Sequence, residues 1–256
     1  MAMGDIASRT GARFADSPIA DGGTPIDSWT EWDRSFAPLN LDDCQGMTVI
    51  APHPDDETLG LGATVAMLRA AGVDVQVVSV SDGGAAYSVR SATERTQLET
   101  VRRNEVRRSM ELLGAGEPVR LGMPDGELAC NEHRLTDRIV ALLAEFPPGR
   151  WCAATWRGDG HPDHEAVGRA AAAAAAQTGA VLVEYPVWMW HWATPDDRSV
   201  PWHRARRVSL TDDALNLKRA AAQCFTSQTQ PTQHGGPVLP PAVLDRLLAV
   251  GEVVFV

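Results

Sequence analysis

Two short segments carry the residue types from which a hydrolytic metal centre is built: His53-Pro54-Asp55-Asp56-Glu57 and His161-Pro162-Asp163-His164. His53 and Asp56 stand three apart, so at a loop-to-helix junction both side chains can converge on one point. His164 supplies a third donor if the fold brings the second segment alongside the first. Two imidazoles and one carboxylate suit Zn²⁺ and leave coordination open for water, which is a catalytic arrangement and not a closed structural one. The same donor set also suits Fe²⁺ or Co²⁺. Asp55, not needed as a ligand, is placed to take a proton from water. His161, one helical turn from His164, is expected to stabilise a developing oxyanion. Asp163 is expected to pair with a ring nitrogen of His161 and favour its imidazolium.

The surrounding pattern supplies the elements that must position these groups. Residues 46–52 (GMTVIAP) read as a buried strand ended by Pro52, and 57–71 as a helix closed at Gly72. Strands at 73–80, 118–124, 151–156 and 180–188 then alternate with helices at 93–113, 135–146, 164–177 and 211–223. Short connections between alternating strands and helices demand parallel strands with crossover helices, hence an α/β doubly wound, mainly parallel sheet. Such sheets bind ligands beyond the carboxyl ends of their strands, where both motifs fall. Residues 1–45 lack sustained periodicity and are expected to form an arm packing on a single domain of residues 46–256. Trp29, Trp32 and Phe36 are spaced there as one helical face.

Composition narrows the partners. The chain has 256 residues, 23 Lys+Arg against 33 Asp+Glu, and a net charge of −10. That balance argues against nucleic acid, whose phosphates need clustered cations. No segment approaches the roughly 20 apolar residues of a membrane span, and the first residues lack a secretory core. Cys44, Cys130, Cys152 and Cys224 form no CxxC pair and read as thiols of a reducing cytosol, so a cytoplasmic location is expected.

On its two motifs the chain resembles the LmbE-like, or PIG-L-type, N-acetylglucosaminyl deacetylases, with similarity over residues 47–230. The resemblance implies a Rossmann-like fold and zinc-dependent removal of an N-acetyl group from an amino-sugar conjugate, a small molecule. It implies zinc on His53, Asp56 and His164, Asp55 as general base, and His161 as electrostatic catalyst or acid. It also implies sugar contacts from Arg102, in Arg102-x-x-Glu105 ahead of Leu113-Gly114, and from Asp125, in Met123-Pro124-Asp125-Gly126. Lys218 and Ser227-Gln228 match a late signature of that family, although Phe225 stands where a His is frequent.

Trp188, Trp190 and Trp192 would present their indoles on one side of an extended segment, as a platform for a sugar or acyl group. Core packing is the competing reading. His133, His203 and His234 have no evident partners and read as surface residues; His234 lies in a Gly-Pro-Gln-rich loop, 226–241. Two other functions compete with the deacetylase: a zinc amidase on a non-sugar amide, and a sugar-conjugate binding protein without turnover. Intact Asp55 and His161 argue against the second, since binding alone needs neither base nor acid. A dinucleotide-binding oxidoreductase is excluded, because Gly60-Leu61-Gly62 lacks a third glycine and carboxylates stand where a pyrophosphate would sit.

Overall fold

The structure, a computed structural model, describes residue 13 and residues 16–87, 91–231 and 235–256. His234 and most of residues 1–15 therefore lie outside the described residues. Eight strands form one sheet: β1 (Ala37–Pro38), β2 (Gly46–Ala51), β3 (Asp74–Ser81), β4 (Val119–Met123), β5 (Trp151–Thr155), β6 (Val181–Tyr185), β7 (Ala205–Arg207) and β8 (Val253–Phe255). Their order is β1-β7-β8-β6-β5-β2-β3-β4. All neighbours run parallel except β8, which is antiparallel to both β6 and β7. The chain leaves β2 toward β3 and β4, then returns to place β5 and β6 on the other side of β2. The crevice between β2 and β5 is thus the topological switch point, where open α/β sheets place their sites.

Every residue of β2 and β5 is buried, as expected for central strands covered on both faces. Period-two alternation divides the core. Met47, Val49, Val75 and Val77 pack on one face beneath α2 (Asp56–Ala70) and α7 (Asp212–Ala222). Ile50, Val78, Val80 and Ala154 pack on the other beneath α4 (Glu132–Leu143) and α5 (Pro162–Thr178). The remaining helices are α1 (Ile26–Thr30), α3 (Ala92–Leu112), α6 (Met189–Trp192), α8 (Thr226–Thr229) and α9 (Pro241–Ala249). Helix α5 turns alanines 166, 170, 171 and 174 to the sheet, and a Cβ on Gly168 would meet the Thr155 carbonyl oxygen. Small residues therefore let the start of α5 lie against the end of β5. Among the described residues, no helix is long and apolar enough to cross a membrane.

The segment before β2 packs on the far half of the sheet. Only Trp29 of the supposed helical face is in a helix, because α1 ends at Thr30; Trp32 and Phe36 come from the chain beyond it. All three nevertheless meet in one aromatic cluster. Trp29 lies edge-on to Trp190 at 5.0 Å and Trp32 to Trp202 at 4.9 Å, with Phe36 stacked on Trp202 at 5.8 Å.

Lys218, part of the late signature, serves packing. Its Nζ donates to Glu252 Oε1 at 2.9 Å, and Glu252 also accepts from the amides of Ala63 and Thr64 in α2. One buried ion pair therefore ties α7, the C-terminal strand and the helix that begins at the site. Replacing Lys218 by Met strands the Glu252 charge in the interior. The expected loss is about 3–5 kcal/mol of unfolding free energy, measurable by denaturant titration.

Candidate metal centre and active site

His53 and Asp55 lie in the turn that follows β2, and Asp56 opens α2. His161 caps α5, and His164 sits in its first turn. Because β2 and β5 are hydrogen-bonded neighbours, the two motifs face each other across the crevice. Asp56 Oδ2 is the point of convergence: it lies 3.2 Å from His53 Nδ1 and 3.2 Å from His164 Nε2, and it accepts the His53 amide at 3.0 Å. Burial opposes ionisation of Asp56, yet His164 and His53 together hold its carboxyl well below the usual range.

The donors are arranged as a metal would require. His164 Nδ1 is 2.7 Å from Asp159 Oδ2, which fixes a proton on that nitrogen. His164 Nε2 is buried and has no hydrogen-bond partner. His53 Nε2 lies 3.0 Å from Asp125 Oδ1 and 3.4 Å from Asp163 Oδ2, so its Nδ1 is the nitrogen left to face Asp56. Ligand atoms of His53, Asp56 and His164 lie within 4.8 Å of one another. Two imidazole nitrogens and a carboxylate thus converge on one buried spot, a donor set that fits a divalent cation displacing the ring protons. Without one, burial works against a charged His164, but Asp56 and Asp159 outweigh it and push the ring up to about 9.

Asp55 stands beside these donors in a backbone conformation that side-chain-bearing residues rarely adopt, with φ at 151°. Such strain costs about 1–3 kcal/mol and persists only where the surroundings enforce it. Enforcement comes from Arg102, whose Nη2 donates to both Asp55 Oδ2 (3.0 Å) and Pro54 O (2.9 Å) while Nη1 donates to Gly83 O (3.1 Å). Gly83 is needed there, since a Cβ would run into the guanidinium. Burial pushes the Asp55 carboxyl up to about 7; Arg102 opposes that rise and Asp56 adds to it. A carboxylate poised near neutrality is what a general base requires.

A cavity of about 240 Å³ opens onto this cluster, lined on its polar side by His53, Asp55, Asp56, Arg102, Asp125 and His161. Arg102 is 3% exposed and is tied to Asp55 and two carbonyls, so it braces the proposed base as well as lining the cavity. Asp125 likewise has partners on both oxygens, His53 Nε2 and the Ala85 amide at 2.7 Å.

Three expectations change. The Asp163 carboxylate does not pair with His161; it faces His53 and accepts the amides of Gly126 (2.8 Å) and Leu128 (3.1 Å). What reaches His161 is the Asp163 amide, donating to Nδ1 at 3.2 Å, which leaves the ring proton on Nε2. His161 is accordingly not biased toward imidazolium: burial, then the His164 and His53 charges, hold it well below its ordinary value. Finally, 189–192 is a short helix and not extended chain, so the three indoles diverge. Trp188 lines the cavity, Trp190 is in the core against Trp29, and Trp192 Nε1 donates to Asp159 O at 2.7 Å. Trp190 is therefore no substrate-binding residue.

Asp159 is the functional residue that motif reading missed. Besides holding His164, it accepts the amides of Val187, Trp188 and Met189 at 2.9–3.0 Å, so one carboxylate orients the His164 ring and pins a cavity wall. Its only signal in the sequence is an acid between two glycines immediately before HPDH. Glu57 was visible in its motif without a role; it is buried, accepts the Asp55 amide at 3.3 Å and the Thr58 hydroxyl at 2.7 Å, and burial raises its carboxyl to about 8. Glu105 accepts from Thr226 and Ser227, which sets Gln228 in the cavity lining.

A Rossmann-like mainly parallel sheet with a His-Asp-His cluster at its switch point defines a class: α/β proteins with a candidate metal centre at the carboxyl ends of the strands. Residues 48–175 match the family described as PIG-L, GlcNAc-PI de-N-acetylase, and the chain belongs to that family. Relatives include a diacetylchitobiose deacetylase of Thermococcus kodakarensis, 29% identical over 133 residues, covering 50% of this chain and 48% of that protein. A 1D-myo-inositol 2-acetamido-2-deoxy-alpha-D-glucopyranoside deacetylase of Rhodococcus jostii is 30% identical over 198 residues, covering 67% of this chain and 63% of its own length. The chain thus spans about half to two thirds of the length of these curated relatives. Among solved structures, N,N'-diacetylchitobiose deacetylase from Pyrococcus horikoshii shares the fold with a TM-score of 0.60 at 24% identity, over 80% of this chain and 77% of that one.

Changing Asp159 to Asn keeps the shape but removes the charge behind His164. Divalent-metal affinity is expected to fall about 10–100-fold, as read by competition with a chromogenic chelator.

Proposed function

We propose that this protein is a metal-dependent N-deacetylase of an N-acetylated amino sugar or its conjugate, N-acetylglucosaminyl in type, with zinc on His53, Asp56 and His164. Residues 46–256 form its single catalytic domain, and the described residues 16–45 before them an arm upon it. The carrying observation is the convergence of the His53, Asp56 and His164 ligand atoms beside a strained, near-neutral Asp55 in one cavity. Membership in a family whose members are named for removing N-acetyl groups from glucosaminyl compounds supports the substrate class.

A divalent cation in the cluster supplies Lewis acidity toward the amide carbonyl and toward water. The chain's residues do the rest. Asp55 accepts the proton of the attacking water, held in position by Arg102. His161, with its proton on Nε2, donates a hydrogen bond to the carbonyl oxygen as that oxygen gains charge. Asp55 then returns its proton to the nitrogen, the C–N bond breaks, and acetate and a free amine leave. Asp163 and Asp125 hold the His53 ring, and Asp159 holds the His164 ring, throughout.

The test is amine release from a panel of N-acetylglucosaminyl conjugates by zinc-loaded protein beside its Asp55→Asn variant. Turnover is expected in the native protein and about 10²–10⁴-fold less in the variant, with zinc still bound. Undiminished turnover in Asp55→Asn removes the base assignment, and no turnover of any conjugate removes the substrate class.

A further inference from the structure

The cavity has apolar lining that the reaction above does not use. Besides the polar cluster its lining includes Ile19, Leu59, Val187, Trp188, Val238 and Leu239. Of these only Leu59 falls within the family-matched residues 48–175; the other five come from the arm, from the end of β6 and from the chain before α9. Ile19, Trp188 and Val238 are half-buried, which leaves apolar surface facing the cavity.

This wall is built, because buried polar ties hold each of its backbone segments. Asp159 accepts the Val187 and Trp188 amides, both at 2.9 Å. The Leu239 amide donates to Gln228 O at 2.8 Å, and Gln228 in turn follows the Glu105 clamp on Ser227. The arm carrying Ile19 is latched by Arg246 on Gly22 O, and by Thr24, whose amide donates to His191 O at 2.9 Å. Apolar side chains held at fixed positions on a cavity bind apolar groups with little ordering cost.

We propose that this wall is a subsite for an alkyl or aryl substituent on the amino-sugar substrate, so that the preferred substrate is amphipathic: a polar N-acylated sugar carrying a short apolar group. The inference rests on the deacetylase reading of the same cavity. A volume of about 240 Å³ limits the group to a short one. The substituent's attachment, as an aglycone or as a longer N-acyl chain, is resolved by the two arms of the test.

Binding is measured by calorimetry on the zinc-loaded Asp55→Asn variant, so that turnover does not intervene. One arm titrates methyl, ethyl, propyl and butyl glycosides of N-acetylglucosamine; the other titrates methyl glycosides carrying N-acetyl, N-propanoyl and N-butanoyl groups. In one arm affinity is expected to rise roughly fourfold per methylene, levelling off within a few carbons. Val238→Asp and Ile19→Ser, at half-buried positions, are expected to flatten that series, each checked for folding by circular dichroism. Flat affinities in both arms overturn the subsite, as does a rising series that neither folded variant alters. Amine release from the methyl glycoside by native protein is scored separately. Release with flat affinities removes the subsite and leaves the deacetylase; rising affinities without release for any conjugate do the reverse.

Discussion

The site depends on the Asp56 carboxylate, buried at the start of α2 between two imidazoles. A buried charge is tolerated only when its oxygens are paired, and here one oxygen meets His53 Nδ1, the His53 amide and His164 Nε2. That geometry exists because β2 and β5 are adjacent at the switch point although about 100 residues separate them in the chain. The small face of α5 matters for the same reason: a bulkier residue at Gly168 would push His164 away from Asp56. Four further carboxylates, Asp55, Asp125, Asp159 and Asp163, crowd around the same two histidines. Their combined field favours a cation at the centre.

Once Asp56 is fixed, Asp55 has little freedom. It must link the end of β2 to the first turn of α2 while its own side chain turns toward the cavity. The chain accommodates this with a φ of 151° and compensates with Arg102, which grips the carboxylate and the preceding carbonyl together. The same arginine also limits how far burial raises the Asp55 carboxyl. The resulting carboxyl is strained in backbone, buried, and close to neutrality in its protonation. Each property follows from the neighbours and not from the aspartate alone.

Much of this was legible in the sequence. The two motifs are contiguous, each follows a strand, and the alternation of strand and helix requires their strands to be parallel; β2, β3, β5 and β6 were all anticipated. The parts that were not legible depend on contacts between distant segments. Proximity in the chain points Asp163 at His161, but α5 turns its carboxylate toward His53 and the 126–128 turn. The tryptophan platform assumed extended chain. In a helix successive side chains rotate by about 100°, so Trp190 goes into the core while Trp188 faces the cavity. Strands β7 and β8 are three residues each, too short for a periodicity to show.

The residues that the motifs leave out also decide how the site differs from a bare metal centre. Asp159 connects His164 to the wall formed by residues 187–189, so the position of that imidazole and the shape of the cavity are not independent. Glu252 connects α2 to α7 through Lys218, and Glu105 connects α3 to α8. Each is a buried acid whose oxygens accept hydrogen bonds from another element, and each lies in a different part of the chain. The His-Asp cluster therefore comes from two short motifs, whereas the cavity around it is held by buried acids at the β6 end and the C-terminal segments and by Arg246 at the arm.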